Sequence, residues 1–177
     1  MGFKSKNVEW TEVSAAGGSS MLPAGGYVAV IKDVEDVESG EYLLFTYDIA
    51  EGEHKGFFET DDRVYTHQFK RWYTEKSTGF MKKFLECVEG SNPDFKLEGW
   101  DSDPNDLKGK LVGILVQRED YTNKDGNDRA RMNVEGFAPI VDIRNNRYKL
   151  PDPKDNREKR DDQPAEASTA YDADIPF

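Results

Sequence analysis

One cysteine, Cys87, stands among 177 residues, so no disulfide can form within the chain, which fits a reducing compartment. Histidine is almost as scarce: His54 and His67 are isolated from each other and from Cys87, with no zinc-ligand spacing. No N-terminal apolar run resembles a signal peptide, and no stretch approaches the roughly 20 apolar residues of a membrane span. A soluble, cytoplasmic protein is expected. Positive charge is also short, with 24 Lys and Arg against 35 Asp and Glu and a net charge of −11. That acidity counts against a simple nucleic-acid binder, whose footprint is usually basic. Any phosphate contact would need a local patch on an acidic body.

Signs of catalysis are equally thin. No glycine-rich phosphate loop occurs. Asp101-Ser102-Asp103-Pro104-Asn105 mimics the start of a calcium loop, but Asp106 stands where Gly is needed and Val112 where the bidentate Glu belongs. Glu59, Asp61 and Asp62 could hold a nuclease metal, although acids beside glycine-rich turns are ordinarily solvated loops. The expectation is a protein that is not an enzyme and uses no cofactor or metal.

What the chain does have is aromatic: 10 Phe, 8 Tyr and 3 Trp, enough for a core with some to spare for a surface. Residues 1–21 read as a flexible lead-in, in which Trp10 either docks on the domain or lies in a loosely held arm. A first strand is expected from about Tyr27 to Val37, with Val28, Val30 and Val34 on one face. A reversal at Ser39-Gly40 leads to a second strand, Tyr42 to Ala50, alternating Leu43, Phe45, Tyr47 and Ile49. Phe57-Phe58 and Arg63 to Tyr73 suggest a third extended stretch. Phe80, Phe84, Leu85 and Val88 then recur at helical spacing, with Gly90 as a stop. Asp103 to Leu107 reads as a short helical turn.

A strand from Lys110 to Asp120, a hairpin turn at Asn123-Lys124-Asp125-Gly126-Asn127 and a return strand from Arg129 to Phe137 complete the pattern, with Ile140-Val141 extending or capping it. Three strands, a helix, then two strands is the order of a mostly β fold: a five-stranded oligonucleotide-binding (OB) barrel with one helix between strands 3 and 4. The expected domain is 22–150. After Leu150 the composition changes, and residues 151–177 hold eight acids, four bases and four Pro, which predicts a disordered acidic C-terminal tail.

Two surfaces combine cations with aromatic rings, the means by which single strands are gripped. In His67-Gln68-Phe69-Lys70-Arg71-Trp72-Tyr73, extended through Lys76, Lys82 and Lys83, five bases face one acid, Glu75. The competing expectation is that Phe69 or Trp72 belongs to the core and the lysines form a solvated helix face. The second surface is the hairpin with Tyr121, Lys124, Arg129 and Arg131, which Arg118 could join; Arg129 and Arg131 are two apart and so share a strand face. Its competing expectation is an ordinary exposed hairpin. Tyr42, Phe57 and Phe58 are further stacking candidates with equally plain core roles.

From Asp161 to the end there are five acids and no bases. The terminal Phe177 offers a side chain and a carboxylate on one residue, which an apolar pocket rimmed by cations can hold. Pro176 keeps Ile175 extended, so little entropy is lost on docking. Asp172, Asp174, Ile175, Pro176 and Phe177 are therefore the partner-docking candidates.

Asp172-Ala173-Asp174-Ile175-Pro176-Phe177 is similar to the acidic tip of bacterial single-stranded DNA-binding proteins, departing from it at Ala173. The rest of the chain resembles the single-stranded DNA-binding proteins of tailed bacteriophages. The resemblance lies in Leu22-Pro23-Ala24-Gly25-Gly26-Tyr27, Tyr47-Asp48-Ile49-Ala50-Glu51-Gly52-Glu53, Gly109-Lys110-Leu111-Val112-Gly113 and Glu119-Asp120-Tyr121, across roughly residues 22–137. It implies an OB fold, sequence-independent single-stranded DNA binding in replication, recombination and repair, recruitment of partner enzymes by the tip, and residence in the cytoplasm of an infected bacterial cell. The alternatives are a protein-binding adaptor with an OB-like barrel, which the overall acidity favours, and a metal-dependent nuclease.

Overall fold

Alternation dictates the clearest element. Leu43, Phe45, Tyr47 and Ile49 are all buried along β2 (Tyr42–Ile49), while the residues between them are only partly covered. The computed structural model describes residues 21–159, together with Lys4 and Glu9. The remaining strands are β1 (Gly25–Val37), β3 (Gln68–Trp72), β4 (Leu111–Thr122), β5 (Asp128–Ala138) and β6 (Lys154–Asn156), with helices α1 (Thr78–Ser91) and α2 (Ile140–Arg144). Five strands form an antiparallel path in the order β3-β2-β1-β4-β5, and β6 pairs with β4 in parallel. The fold is thus mostly β.

β1 serves two neighbours by bending. It pairs with β4 through Gly25 to Val30 and with β2 from Ala29 to Val37. Ile31 opposes Tyr47 and Asp33 opposes Thr46, so Lys32 is an extra residue in a β-bulge. The bulge changes which side chains face inward. Strict alternation would have set Val34 with Val28 and Val30. Instead Val34 joins Ala29 and Ile31 in the main core, and Val28 belongs to a second cluster.

α1 buries Met81, Phe84, Val88 and Ser91, a 3-4-3 spacing that keeps one stripe on the core. Phe80, expected on that stripe, is 67% exposed, and Met81 holds the place instead. The helix passes Gly90 and ends at Asn92, whose side-chain amide donates to the Val88 and Leu111 carbonyls at 2.7 and 2.8 Å. Its carbonyl accepts from Leu111 N at 2.9 Å, which stitches the helix end to β4.

The sheet curls until its two end strands meet through side chains. β3 and β5 are not hydrogen-bonded to each other among the described residues, yet the Phe69 and Phe137 rings lie 5.0 Å apart. Phe84 of α1 completes this cluster, 4.8 Å from Phe137 and 5.1 Å from Phe45. Phe69 is therefore core, not surface.

Ile140-Val141, expected to extend or cap the last strand, opens α2. Ser91 at the end of α1 accepts from Ile140 N at 3.1 Å, and Ile140 and Ile143 pack with Val28, Leu115 and Ala138 in the second cluster. Gly113 permits this approach. A Cβ there would stand 2.4 Å from the Ala138 carbonyl oxygen and 2.6 Å from Ile143. Lys154–Asn156, expected in the acidic tail, instead pair with Glu119, Asp120 and Tyr121 of β4, beyond the point where β1 stops. No helix among the described residues is long and apolar enough to cross a membrane.

Candidate nucleic-acid interface

Period-two geometry splits β3 into two faces. Phe69 and Arg71 turn towards the core side, and Gln68, Lys70 and Trp72 turn outward. Pairing with β2 sets Trp72 opposite Tyr42, Lys70 opposite Leu44 and Gln68 opposite Thr46. Trp72 is 45% exposed, with its ring centroid 5.9 Å from that of Tyr42. Lys70 Nζ lies 4.7 Å over the Tyr42 ring. Two aromatic faces and one ammonium are thus gathered on the outer surface of β2 and β3.

Arg71 leaves the expected surface. Its guanidinium packs over Phe137, and its Nη2 donates to the Phe80 carbonyl at 3.2 Å. Burial depresses its pKa, and its Nε is buried with no hydrogen-bond partner among the described residues. Tyr73 is held too: its hydroxyl donates to Asp36 at 2.7 Å, which pushes its pKa up to about 12. Lys76, Lys82 and Lys83 are exposed on α1 and the turn before it, and form no ion pair among the described residues.

The hairpin borders a cleft of about 480 Å³. One wall is the 61–68 segment, with Asp61, Arg63, Tyr65, Thr66 and Gln68; the other includes Ala130, Arg131, Met132 and Asn133 of β5. Four consecutive β5 residues line it, so the cleft runs along the free edge of that strand and not over one face. Leu22, Tyr47, Phe58 and Val116 contribute buried apolar groups, and Met21 and Tyr121 complete the lining. Tyr65 projects with 72% of its surface exposed. Gln68 lines the cleft and shares the outer face of β3 with Lys70 and Trp72. The Gln68-to-Trp72 run spans about 13 Å at roughly 3.3 Å per residue.

Most arginines near the cleft are already paired. Arg63 grips Asp61 at 3.0 Å, with Thr66 Oγ1 donating to the same carboxylate at 2.9 Å; these bonds hold the Asp61 carboxyl well below its ordinary range. Arg118 pairs with Asp120 at 2.9 Å. Arg131 stacks over Tyr121, 4.3 Å from its centroid, and donates to Glu119 at 2.7 Å. Glu119 also accepts from Asn133 and from Asn156 of β6, each at 2.7 Å. Those donors pull its pKa down from 4.5 to about 2, with Arg131 the main cause. Lys124 and Arg129 are exposed on the hairpin and form no ion pair among the described residues.

The two expected surfaces are therefore brought together in part. Lys70 and Trp72 do not line the cleft but share a strand face with Gln68, which does, while Tyr121 and Arg131 sit in it. The lysines of α1 do not line it. Arg63, Tyr65 and Asn133 were not legible as site residues, because only folding sets the 61–68 segment against β5. The docking candidates Asp172, Asp174, Ile175, Pro176 and Phe177 lie outside the described residues. No group of three or more His, Cys, Asp or Glu residues among the described residues is arranged to hold a metal ion.

No protein-family model matches the chain. No curated protein sequence matches it either.

Proposed function

We propose that this protein binds single-stranded DNA without sequence preference and acts as a coating and recruiting factor, not an enzyme. The observation that carries the reading is the Tyr42–Trp72 pair, with Trp72 exposed and Lys70 over Tyr42, on the strand face of Gln68, which lines a cleft that Tyr65, Tyr121 and Arg131 border. Rings stack bases and cations follow phosphates, and neither contact depends on base identity. The strand order β3-β2-β1-β4-β5, with a helix between β3 and β4, supports reading the sheet as an OB barrel. A role in phage DNA replication, recombination and repair, in the cytoplasm of an infected cell, belongs to the same proposal and rests on the resemblance. So does recruitment of partner enzymes by Asp172–Phe177.

The acidity of the chain favours one other reading, a barrel that binds protein, since Arg63, Arg118 and Arg131 already hold carboxylates. Fluorescence titration with oligo-dT at two salt concentrations separates them. Tight binding that weakens with salt is expected, because phosphate contacts release counterions. No binding at low salt would leave the adaptor.

A further inference from the structure

We infer that the cleft between the 61–68 segment and the free edge of β5 captures one unpaired nucleobase; this rests on the reading of the protein as a single-strand binder. Its volume, about 480 Å³, falls within the roughly 300–1,000 Å³ of small-ligand sites. Leu22, Phe58, Val116 and Met132 supply an apolar lining for a base plane, and Tyr65 and Tyr121 add aromatic faces. Arg63 and Arg131 also line it, each already paired with a carboxylate, so the cleft carries little net charge and favours the base over the phosphate.

The hydrogen-bonding capacity that remains belongs to two side-chain amides. Gln68 donates its amide nitrogen to Thr46 at 3.1 Å, and Asn133 donates its own to Glu119 at 2.7 Å. Each amide keeps its carbonyl and one of its two N–H groups without a partner among the described residues, so the cleft offers an acceptor and a donor at each. Each nucleobase carries donors on its pairing edge: the ring N–H of thymine, the amino groups of cytosine and adenine, and both kinds in guanine. In a duplex these donors are spent on the opposite strand. The cleft thus distinguishes paired from unpaired bases while accepting all four, as sequence-independent single-strand binding requires.

The test uses the full chain and two ligands of equal length, oligo-dT and an all-abasic deoxyribose-phosphate strand. Two variants alter the cleft: Ala130→Trp fills it, and Gln68→Leu removes an acceptor at similar volume. Each should bind oligo-dT about tenfold more weakly or worse, judged by the contribution of a single base contact. Binding of the abasic strand should not change. Oligo-U serves as a third arm, in which equal loss shows that the site reads the base and not the sugar. Variants that melt like the wild type yet keep full affinity for oligo-dT would overturn the inference. So would equal loss on both strands, which would mark a backbone contact. If Ala130→Trp melts early, Gln68→Leu alone decides. Wild-type protein that ignores oligo-dT altogether would refute the binding function itself, a distinct outcome.

Discussion

Arg71 of β3 lies over the ring of Phe137 of β5, its guanidinium carbon 5.0 Å from the ring centroid. No strand hydrogen bonds join these two strands among the described residues, so this contact and the Phe69–Phe137 pair hold the seam of the sheet. A cation that looked like a phosphate ligand is instead a structural clasp. Arg71→Ala should cost about 1–3 kcal/mol in urea unfolding, through lost cation–π and stem packing. Loss of oligo-dT affinity with no change in stability would contradict this assignment.

Trp72→Ala should show the opposite signature. The ring is exposed and rests mainly on Tyr42, so stability should change little. Affinity for oligo-dT should fall by about 5- to 150-fold, the equivalent of one stacked base. Lys70→Ala should lower the slope of log affinity against log salt by about 1. Both follow from the same titration series.

Glu119 makes the root of the C-terminal segment sensitive to acid. Its pKa is depressed in the folded state, so its contribution is complete above about 4.5 and is lost as pH falls towards about 2. At neutral pH Glu119→Gln should cost about 1–3 kcal/mol, because Arg131, Asn133 and Asn156 lose a shared anionic acceptor. The gap between variant and wild type should close between pH 4.5 and 2. Denaturant titrations across that window measure it, and a gap constant with pH would remove Glu119 from the role.

Gly113 and Gly79 predict contrasting outcomes for the same substitution. Gly113→Ala drives a methyl group into the Ala138 carbonyl and Ile143, and should destabilise by about 1–3 kcal/mol. Gly79 lies in the first turn of α1, where a Cβ would meet nothing within 4 Å, and Gly79→Ala should be neutral or stabilising by up to about 1 kcal/mol. Thermal melts of the two variants side by side decide the point.

Local pattern carried much of the fold. The alternation of β2, the run of α1 and the Asn123–Asn127 turn are legible because each is encoded within a few neighbouring residues. In that turn the Asn123 side chain accepts from the Asp125 and Asn127 amides at 3.0 and 2.9 Å. The candidate site was less legible. Its basic aromatic run was visible as composition, but composition gives no phase, and phase sends Phe69 and Arg71 inward while Lys70 and Trp72 face out.

By itself, then, the sequence determined a mostly β domain with one long helix, an acidic body with a local basic aromatic stretch, and the tight turn between β4 and β5. Tertiary structure alone decided the bulge at Lys32, the inward turn of Arg71, the helical start of α2 and the docking of Lys154–Asn156 on β4. The physical reason is range. A turn or a helix face is fixed by residues a few positions apart, whereas strand register and the meeting of sheet edges depend on partners tens of residues away. The inward phase of Arg71 comes from its pairing with Leu43, and its resting place from Phe137 at the other end of the sheet.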